Sequence, residues 1–315
     1  MEKKLSFIIP CYRSENTIAE VVTGLVREYT ESGYDFEIIL VNDSSPDNTY
    51  GVIRQLCADD QRVRGINLSR NFGQHSALMA GMRYAQGEIL VLLDDDGQTP
   101  PDQAKKLIDQ VEAGHDAAIA RYGHKKHSAV RNMGSKINES MARWLIGKPK
   151  GLYLSSYVAM KRFVADEILT YTLPYPYMSG MILRATSDIV NVDVEHKERT
   201  VGESGYTFSK LISLWFNGFT NFSIKPLRIA IVLGIIIAIL GFGVGIYSIV
   251  MKLLNDTPLG WASTMSAIAF IGGIILVVLG LIGEYVGRMF MGLNHHPQFV
   301  IKEKLNMEDT TDCEK

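Results

Sequence analysis

Three consecutive carboxylates, Asp94, Asp95 and Asp96, close an apolar stretch and run into Gly97-Gln98-Thr99-Pro100-Pro101. Like charges this close repel one another unless they are solvated or met by a cation, and an all-oxygen set of this kind suits Mg²⁺ or Mn²⁺. A metal bridging the phosphates of a nucleotide diphosphate is one occupant of such a turn. The other reading is a solvated Asp-Gly turn that opens a helix at Pro100-Pro101. A second acidic turn, Asn42-Asp43-Ser44-Ser45-Pro46-Asp47, follows another apolar stretch. Downstream, the run from Arg121 to Arg131 holds Arg121, His124, Lys125, Lys126, His127 and Arg131 with no acidic residue, and Ser135 follows closely. Arginine forks match phosphate oxygens. Lys125 and Lys126 read better as a solvated loop near anionic headgroups, and His124 and His127 as a surface pair, since no further ligand accompanies them.

These turns need elements to hold them. Leu5 to Pro10, Phe36 to Asn42, Val63 to Leu68, Glu88 to Asp94 and Ala117 to Ala120 read as strands. Thr17 to Tyr29, Asn48 to Cys57, Gln74 to Tyr84 and Pro101 to Ala113 read as helices between them, with Asp47 or Asn48 and Thr99 placed as caps. Such alternation implies an α/β fold, a mostly parallel sheet with helices on both faces. Both acidic turns then fall at carboxyl ends of strands, where ligands bind in these sheets.

The C-terminal part has a different character. Two uncharged apolar runs, Ile229 to Met251 and Leu259 to Gly283, are each long enough to cross a hydrocarbon core of about 30 Å. They lack the polar face of a core helix. Lys225, Arg228 and Arg288 flank the outer ends of the pair, which places the N-terminal domain and the C-terminal tail in the cytoplasm. From Tyr206 to Phe222 an aromatic-rich amphipathic stretch fits the membrane interface; the stretch from Asn132 to Ile146 fits either that interface or a core. The net charge of −2 over 315 residues argues against nucleic acid as a partner. Cys11, Cys57 and Cys313 match no metal or disulfide spacing. The polar tail from Lys302 to Lys315 reads as disordered.

The order of the motifs carries more than any one of them. Ile8-Ile9-Pro10-Cys11-Tyr12, Val41-Asn42-Asp43-Ser44-Ser45-Pro46-Asp47-Asn48-Thr49, Arg70-Asn71-Phe72-Gly73-Gln74-His75 and Asp94-Asp95-Asp96-Gly97-Gln98 together resemble a family 2 glycosyltransferase. Gly283-Glu284-Tyr285-Val286-Gly287-Arg288 after the second span narrows the resemblance to polyprenyl-phosphate glycosyltransferases, the group of bactoprenol glucosyltransferase, dolichol-phosphate mannose synthase and the undecaprenyl-phosphate aminoarabinose transferase. The resemblance covers nearly the whole chain. It implies a nucleotide-sugar-binding GT-A domain over 1–204, an interfacial segment over 205–226, two transmembrane helices within 227–288 and a cytoplasmic tail over 289–315.

The resemblance also implies roles. Pro10, Tyr12, Asp43, Arg70, Asp94, Asp95 and Arg199 would bind the donor, and Asp96 and Gln98 the metal. Arg121, Arg131 and Ser135 would receive the lipid phosphate, with Asp94, Asp96 and Arg131 at the catalytic centre. The expected reaction is inverting transfer of a sugar, with UDP-glucose or a UDP-N-acetylhexosamine leading, to a polyprenyl phosphate such as undecaprenyl phosphate. Relatives of this kind can be oligomers. Three departures stand out: Asp95 replaces a small residue, Leu152 stands where relatives often carry an Asp proposed as base, and Gly205 replaces a common Lys, for which Lys210 could substitute. The Gly202-Glu203-Ser204-Gly205-Tyr206 stretch resembles a loop closing over the donor. A non-catalytic nucleotide-sugar-binding scaffold is the rival from another class. A processive polysaccharide synthase is weaker still, since Ser140-Met141-Ala142-Arg143-Trp144 lacks the Gln of that motif and two spans are too few for a channel.

Overall fold

A computed structural model describes residues 4–122, 143, 147–195, part of 232–254, 260–294 and 296–307. The chain divides into two compact units, one formed by Met1–Thr207 with His296–Lys315 and the other by Phe208–His295.

The first unit is built on strands β1 (Leu5–Cys11), β2 (Phe36–Asn42), β3 (Val63–Leu68), β4 (Ile89–Leu92), β5 (Ala117–Tyr122), β6 (Val158–Lys161), β7 (Ile189–Val194) and β8 (Ile301–Leu305). They form one sheet in the order β7-β5-β6-β4-β1-β2-β3-β8. The half containing β4, β1, β2 and β3 is parallel, with Cys11 opposite Asn42 and Ile8 opposite Leu92. β6 is antiparallel to both β4 and β5, while β5 and β7 are parallel. Helices α1 (Ile18–Glu31), α2 (Thr49–Asp59), α3 (Gln74–Tyr84) and α4 (Gln103–Glu112) make the crossovers, and α5 (Arg162–Leu169) and α6 (Met178–Ala185) follow β6. β1 and β2 are buried along their whole length, as continuous apolar runs between two helical layers should be. Phe7, Tyr29 and Phe36 meet as an aromatic cluster in the core.

The five strands and four helices expected over the first 120 residues are all present, with ends shifted by a few residues. One cap is corrected: α4 begins after Asp102, not Thr99, because the Pro100-Pro101 segment forms its own turn, in which Gln103 N–H donates to the Pro100 carbonyl.

A second correction concerns the tail. Residues expected to be disordered form β8, antiparallel to β3 at the sheet edge. Leu305 packs against the core beside Gly65, where an added Cβ would approach Leu305 Cδ1 to 3.0 Å. Asn306, in the left-handed region at φ 55°, donates through Nδ2 to the carbonyls of Cys57 and Val63, and Arg64 Nε donates to the Asn306 carbonyl. Arg64 also pairs with Glu37, a buried carboxylate that accepts from Ser6 Oγ and Gln86 N–H as well. That charge is buried with its oxygens satisfied, as a buried charge must be. The charged Lys302-Glu303-Lys304 stretch carries no apolar alternation to signal a strand, yet charge is what a sheet-edge strand commonly carries.

In the second unit, α7 (Trp261–Leu293) is a 33-residue helix, about 50 Å long at 1.5 Å per residue. Its stretch Phe270–Gly287 has a mean hydropathy of 2.1 and none of it is buried. Ile275, Leu276, Leu279, Ile282, Val286 and Phe290 are all exposed. Such an apolar surface is suited to lipid rather than water. Of the first apolar run, about half of the residues are described, all of them helical.

Candidate active site

The loops after β1, β2, β3 and β4 emerge at one edge of the parallel half-sheet, and they hold one another by side chain to backbone bonds. Four successive amides of the loop after β1 each donate to a side chain from another loop. Tyr12 N–H reaches Asp95 Oδ2 at 3.0 Å, Arg13 N–H Ser45 Oγ at 2.7 Å, Ser14 N–H Thr49 Oγ1 at 2.9 Å and Glu15 N–H Asp47 Oδ2 at 3.4 Å. Asp47 in turn accepts from the hydroxyls of Ser45 and Thr49, and these donors hold its carboxyl below the usual range against the opposing effect of burial. Arg13 and Ser44 both adopt left-handed backbone, at φ 59° and 51°, a strained state for residues with a Cβ. Pro10 is buried in β1, two residues past the last β1–β4 pair. The Tyr12 ring is 44% exposed.

Asp43, 3% exposed, turns its carboxylate back into the protein. Oδ1 accepts from Phe72 N–H at 2.7 Å and Oδ2 from Gly73 N–H at 2.8 Å. Burial raises its pKa while these two amides pull it down. Gly73 sits at φ 89° immediately before α3, a conformation that glycine adopts without penalty. Asp43 thus fixes the loop that carries Arg70, whose guanidinium stacks over Phe72.

The acidic turn itself divides its labour. Asp94 Oδ1 accepts from Gln74 Nε2 at 2.7 Å and Oδ2 from the Ser156 hydroxyl at 2.5 Å. Asp95 is set deep against Tyr12, and burial raises its pKa to about 6 despite the nearby Ser14 hydroxyl and the Tyr12 N–H; the Ser14 hydroxyl lies beside the carboxylate without a fully formed hydrogen bond. Asp96 Oδ1 accepts from Gln98 N–H at 3.1 Å across Gly97, which lies at φ 68°. Among the described residues no three His, Cys, Asp or Glu side chains converge into a metal cage. A partial set of one carboxylate and one amide oxygen fits a Mg²⁺-like ion that takes its remaining ligands from water and substrate phosphates.

At the far side, Tyr122 ends β5, and burial pushes its phenol up to about 12 against the lowering effect of the Thr99 and Ser155 hydroxyls. Its ring meets Tyr153 edge-on at 6.3 Å. Arg121, on the same strand, is bound through Nε and Nη2 to the two oxygens of Asp193 on β7, at 2.6 and 2.8 Å. The fork expected to face a lipid phosphate is therefore turned to a carboxylate. Leu152 is 9% exposed in a loop pinned by Asn191, which accepts from Tyr153 N–H and donates to the Tyr153 carbonyl. No titratable group stands at that position. Burial lowers His75 to about 4, so it is neutral at pH 7, edge-on to Tyr177.

The structure thus gathers Pro10, Tyr12, Asp43, Arg70, Asp94, Asp95, Asp96 and Gln98 at one edge and separates Arg121 into an ion pair. Arg131, Ser135, Arg199, Gly205 and Lys210 lie outside the described residues, as does the stretch from Tyr206 to Phe222. Gln74, Ser156, Ser45 and Thr49 join the site as supporting residues. Ser45, Thr49 and Gln74 lie within the motifs that carry the family resemblance, whereas nothing in the sequence around Ser156 marks it.

A parallel sheet with an acidic turn at its carboxyl edge, extended by an antiparallel β6, defines a nucleotide-sugar transferase of the GT-A class. Residues 6–169 match glycosyl transferase family 2 and residues 225–289 match the GtrB C-terminal hairpin. The chain belongs to glycosyl transferase family 2, and it is a glycosyltransferase. It is 31% identical over 314 residues to an undecaprenyl-phosphate 4-deoxy-4-formamido-L-arabinose transferase of Proteus mirabilis, covering 97% of this chain and 95% of that one. It is 32% identical over 300 residues to the putative glycosyltransferase CsbB of Bacillus subtilis, covering 95% and 91%. Among solved structures it resembles glucosyl-3-phosphoglycerate synthase from Mycobacterium tuberculosis in complex with phosphoglyceric acid, with a TM-score of 0.52 and 17% identity over 70% of this chain and 80% of that one. That likeness is one of fold.

Proposed function

We propose that this protein transfers a sugar from a UDP-sugar to undecaprenyl phosphate, with inversion, giving polyprenyl-phosphate sugar and UDP. The observation that carries the reading is the near full-length match, catalytic domain and hairpin together, to a transferase named for undecaprenyl phosphate. A membrane-resident acceptor calls for a membrane-anchored enzyme, and α7 supplies an apolar helix of spanning length.

The chemistry follows from the site. An oxygen of the acceptor phosphate attacks the anomeric carbon from the face opposite the diphosphate, and the bond to the diphosphate breaks. A phosphate monoester has a second pKa near 6, so at neutral pH the acceptor is largely dianionic and needs no base. Leu152 is compatible with that. Asp96 and Gln98 would hold Mg²⁺ or Mn²⁺, which when bound neutralises charge on the departing diphosphate. Asp94, fixed by Gln74 and Ser156, faces the donor ribose and diphosphate, and Tyr12 lines the nucleoside pocket. Arg131 and Ser135 receive the acceptor phosphate.

β8 also bears on topology. The tail strand after α7 is hydrogen-bonded to β3, which supports a topology in which the tail and the catalytic domain share one side of the membrane and the chain crosses it an even number of times. The flanking cations put that side in the cytoplasm. The test is a panel of labelled donors, including UDP-glucose, UDP-N-acetylglucosamine and UDP-4-deoxy-4-formamido-L-arabinose, offered to purified protein with undecaprenyl phosphate. Appearance of label in lipid supports the reading; UDP binding without transfer from any donor favours the scaffold.

A further inference from the structure

The four amides that immobilise the loop after β1 find their acceptors in two different places. Arg13, Ser14 and Glu15 donate to Ser45, Thr49 and Asp47 of the loop after β2. Tyr12 donates across 83 positions of sequence to Asp95, the middle carboxylate of the acidic turn. Its flanking neighbours have other tasks: Asp94 is held by Gln74 and Ser156, and Asp96 by the amide of Gln98. Asp95 therefore joins the residue whose ring borders the nucleoside pocket to the turn that carries the metal-ligand pair. In the pattern this turn resembles the middle position holds a small residue, which could make no such bond.

We propose that Asp95 is a positioning residue for the donor: by accepting from Tyr12 N–H it fixes the distance between the nucleoside-binding loop and the diphosphate-binding turn, without itself touching the nucleotide or the metal. The inference rests on the reading of this edge as the nucleotide-sugar site. A hydrogen bond to an ionised acceptor is among the stronger ones, and its loss loosens a loop that binds one substrate only. The consequence is a selective loss of donor affinity. Asp95→Asn retains a carbonyl oxygen that can accept from Tyr12 N–H, so it should preserve the bond in its neutral form.

The experiment measures the Kd for UDP with Mn²⁺ by titration calorimetry on the full-length protein in detergent, and the KM for undecaprenyl phosphate where turnover is available. Asp95→Ala, and Asp95→Ser, whose hydroxyl stops a bond length short of Tyr12 N–H, should weaken UDP binding about tenfold. The acceptor KM should stay unchanged. Asp95→Asn should bind UDP within about threefold of the wild type, as expected for a neutral replacement of a charged acceptor. Wild-type affinity in both Asp95→Ala and Asp95→Ser would overturn the proposal. So would an Asp95→Asn variant as weak as Asp95→Ala, since the charge itself would then be in use. A wild type that binds no UDP would instead overturn the reading of the site, which keeps the two failures distinct.

Discussion

Asp43 offers the sharpest separation between touching a ligand and building the place where a ligand binds. Its carboxylate accepts from Phe72 N–H and Gly73 N–H at 2.7 and 2.8 Å, and it is 3% exposed. Asp43→Ala removes both acceptors and leaves two amides at the start of α3 unsatisfied. Hydrogen bonds to charged groups are worth about 1.5–3 kcal/mol each. The gain is offset in part because burial opposes the charged form of this carboxyl. A net loss of about 3 kcal/mol is the consistent figure, corresponding to a fall in melting temperature of roughly 6–12 °C for a domain of this size. Asp43→Asn keeps one acceptor oxygen but sets an NH₂ against an N–H, so it should fall between wild type and Asp43→Ala. The assay is thermal unfolding of the detergent-solubilised protein followed by near-UV circular dichroism, with UDP titrated at a temperature where each variant is folded. An Asp43→Ala protein that melts within about 2 °C of wild type, less than 1 kcal/mol would produce, yet no longer binds UDP would refute the reasoning and make Asp43 a direct ligand.

Three further outcomes are expected. Chelator should abolish sugar transfer and Mg²⁺ or Mn²⁺ should restore it, while Asp96→Asn loses most activity yet stays folded in the membrane; full activity in either condition would remove Asp96 from the metal site. Leu152→Asp should give no large gain in single-turnover rate at pH 7, because the acceptor phosphate carries no proton that must leave; a large gain would show that a base is needed. A reporter fused after Lys315 should report cytoplasm and one inserted at Asn255 or Asp256 the opposite side, by fluorescence and alkaline phosphatase activity respectively. A C-terminus outside the cytoplasm would contradict the placement of the flanking cations, and one on the opposite side from the catalytic domain would contradict the β8 pairing.

The parallel half of the sheet was legible because its strands are short β-rich runs, continuous and apolar in β4, bounded by polar turns, and because the helices between show an apolar face, as Val21, Val22, Leu25 and Tyr29 do in α1. β6, of four residues, falls below what periodicity can resolve, whereas β7 carries a period of two in Val190-Asn191-Val192-Asp193-Val194 but lies beyond the regular strand-helix alternation of the first 120 residues. β8 was hidden by its charges. At the site, residue types and motif order pointed to Asp43, Asp94, Asp95, Asp96 and Gln98, and the fold brings them together. What Asp43 and Asp95 do there was not legible, because their partners are backbone amides 29 and 83 positions distant, and an amide carries no sequence signature. Arg121 shows the same limit. Its basic surroundings suggested phosphate, whereas β5–β7 pairing sets it opposite Asp193.

The most direct test of the central claim is transfer itself. Purified protein in detergent with undecaprenyl phosphate, Mg²⁺ or Mn²⁺ and each labelled UDP-sugar in turn should move label into an organic-extractable lipid with at least one donor, in amounts stoichiometric with the UDP released. Binding of UDP with no labelled lipid from any nucleotide sugar, or label appearing in a growing polymer instead, would contradict it.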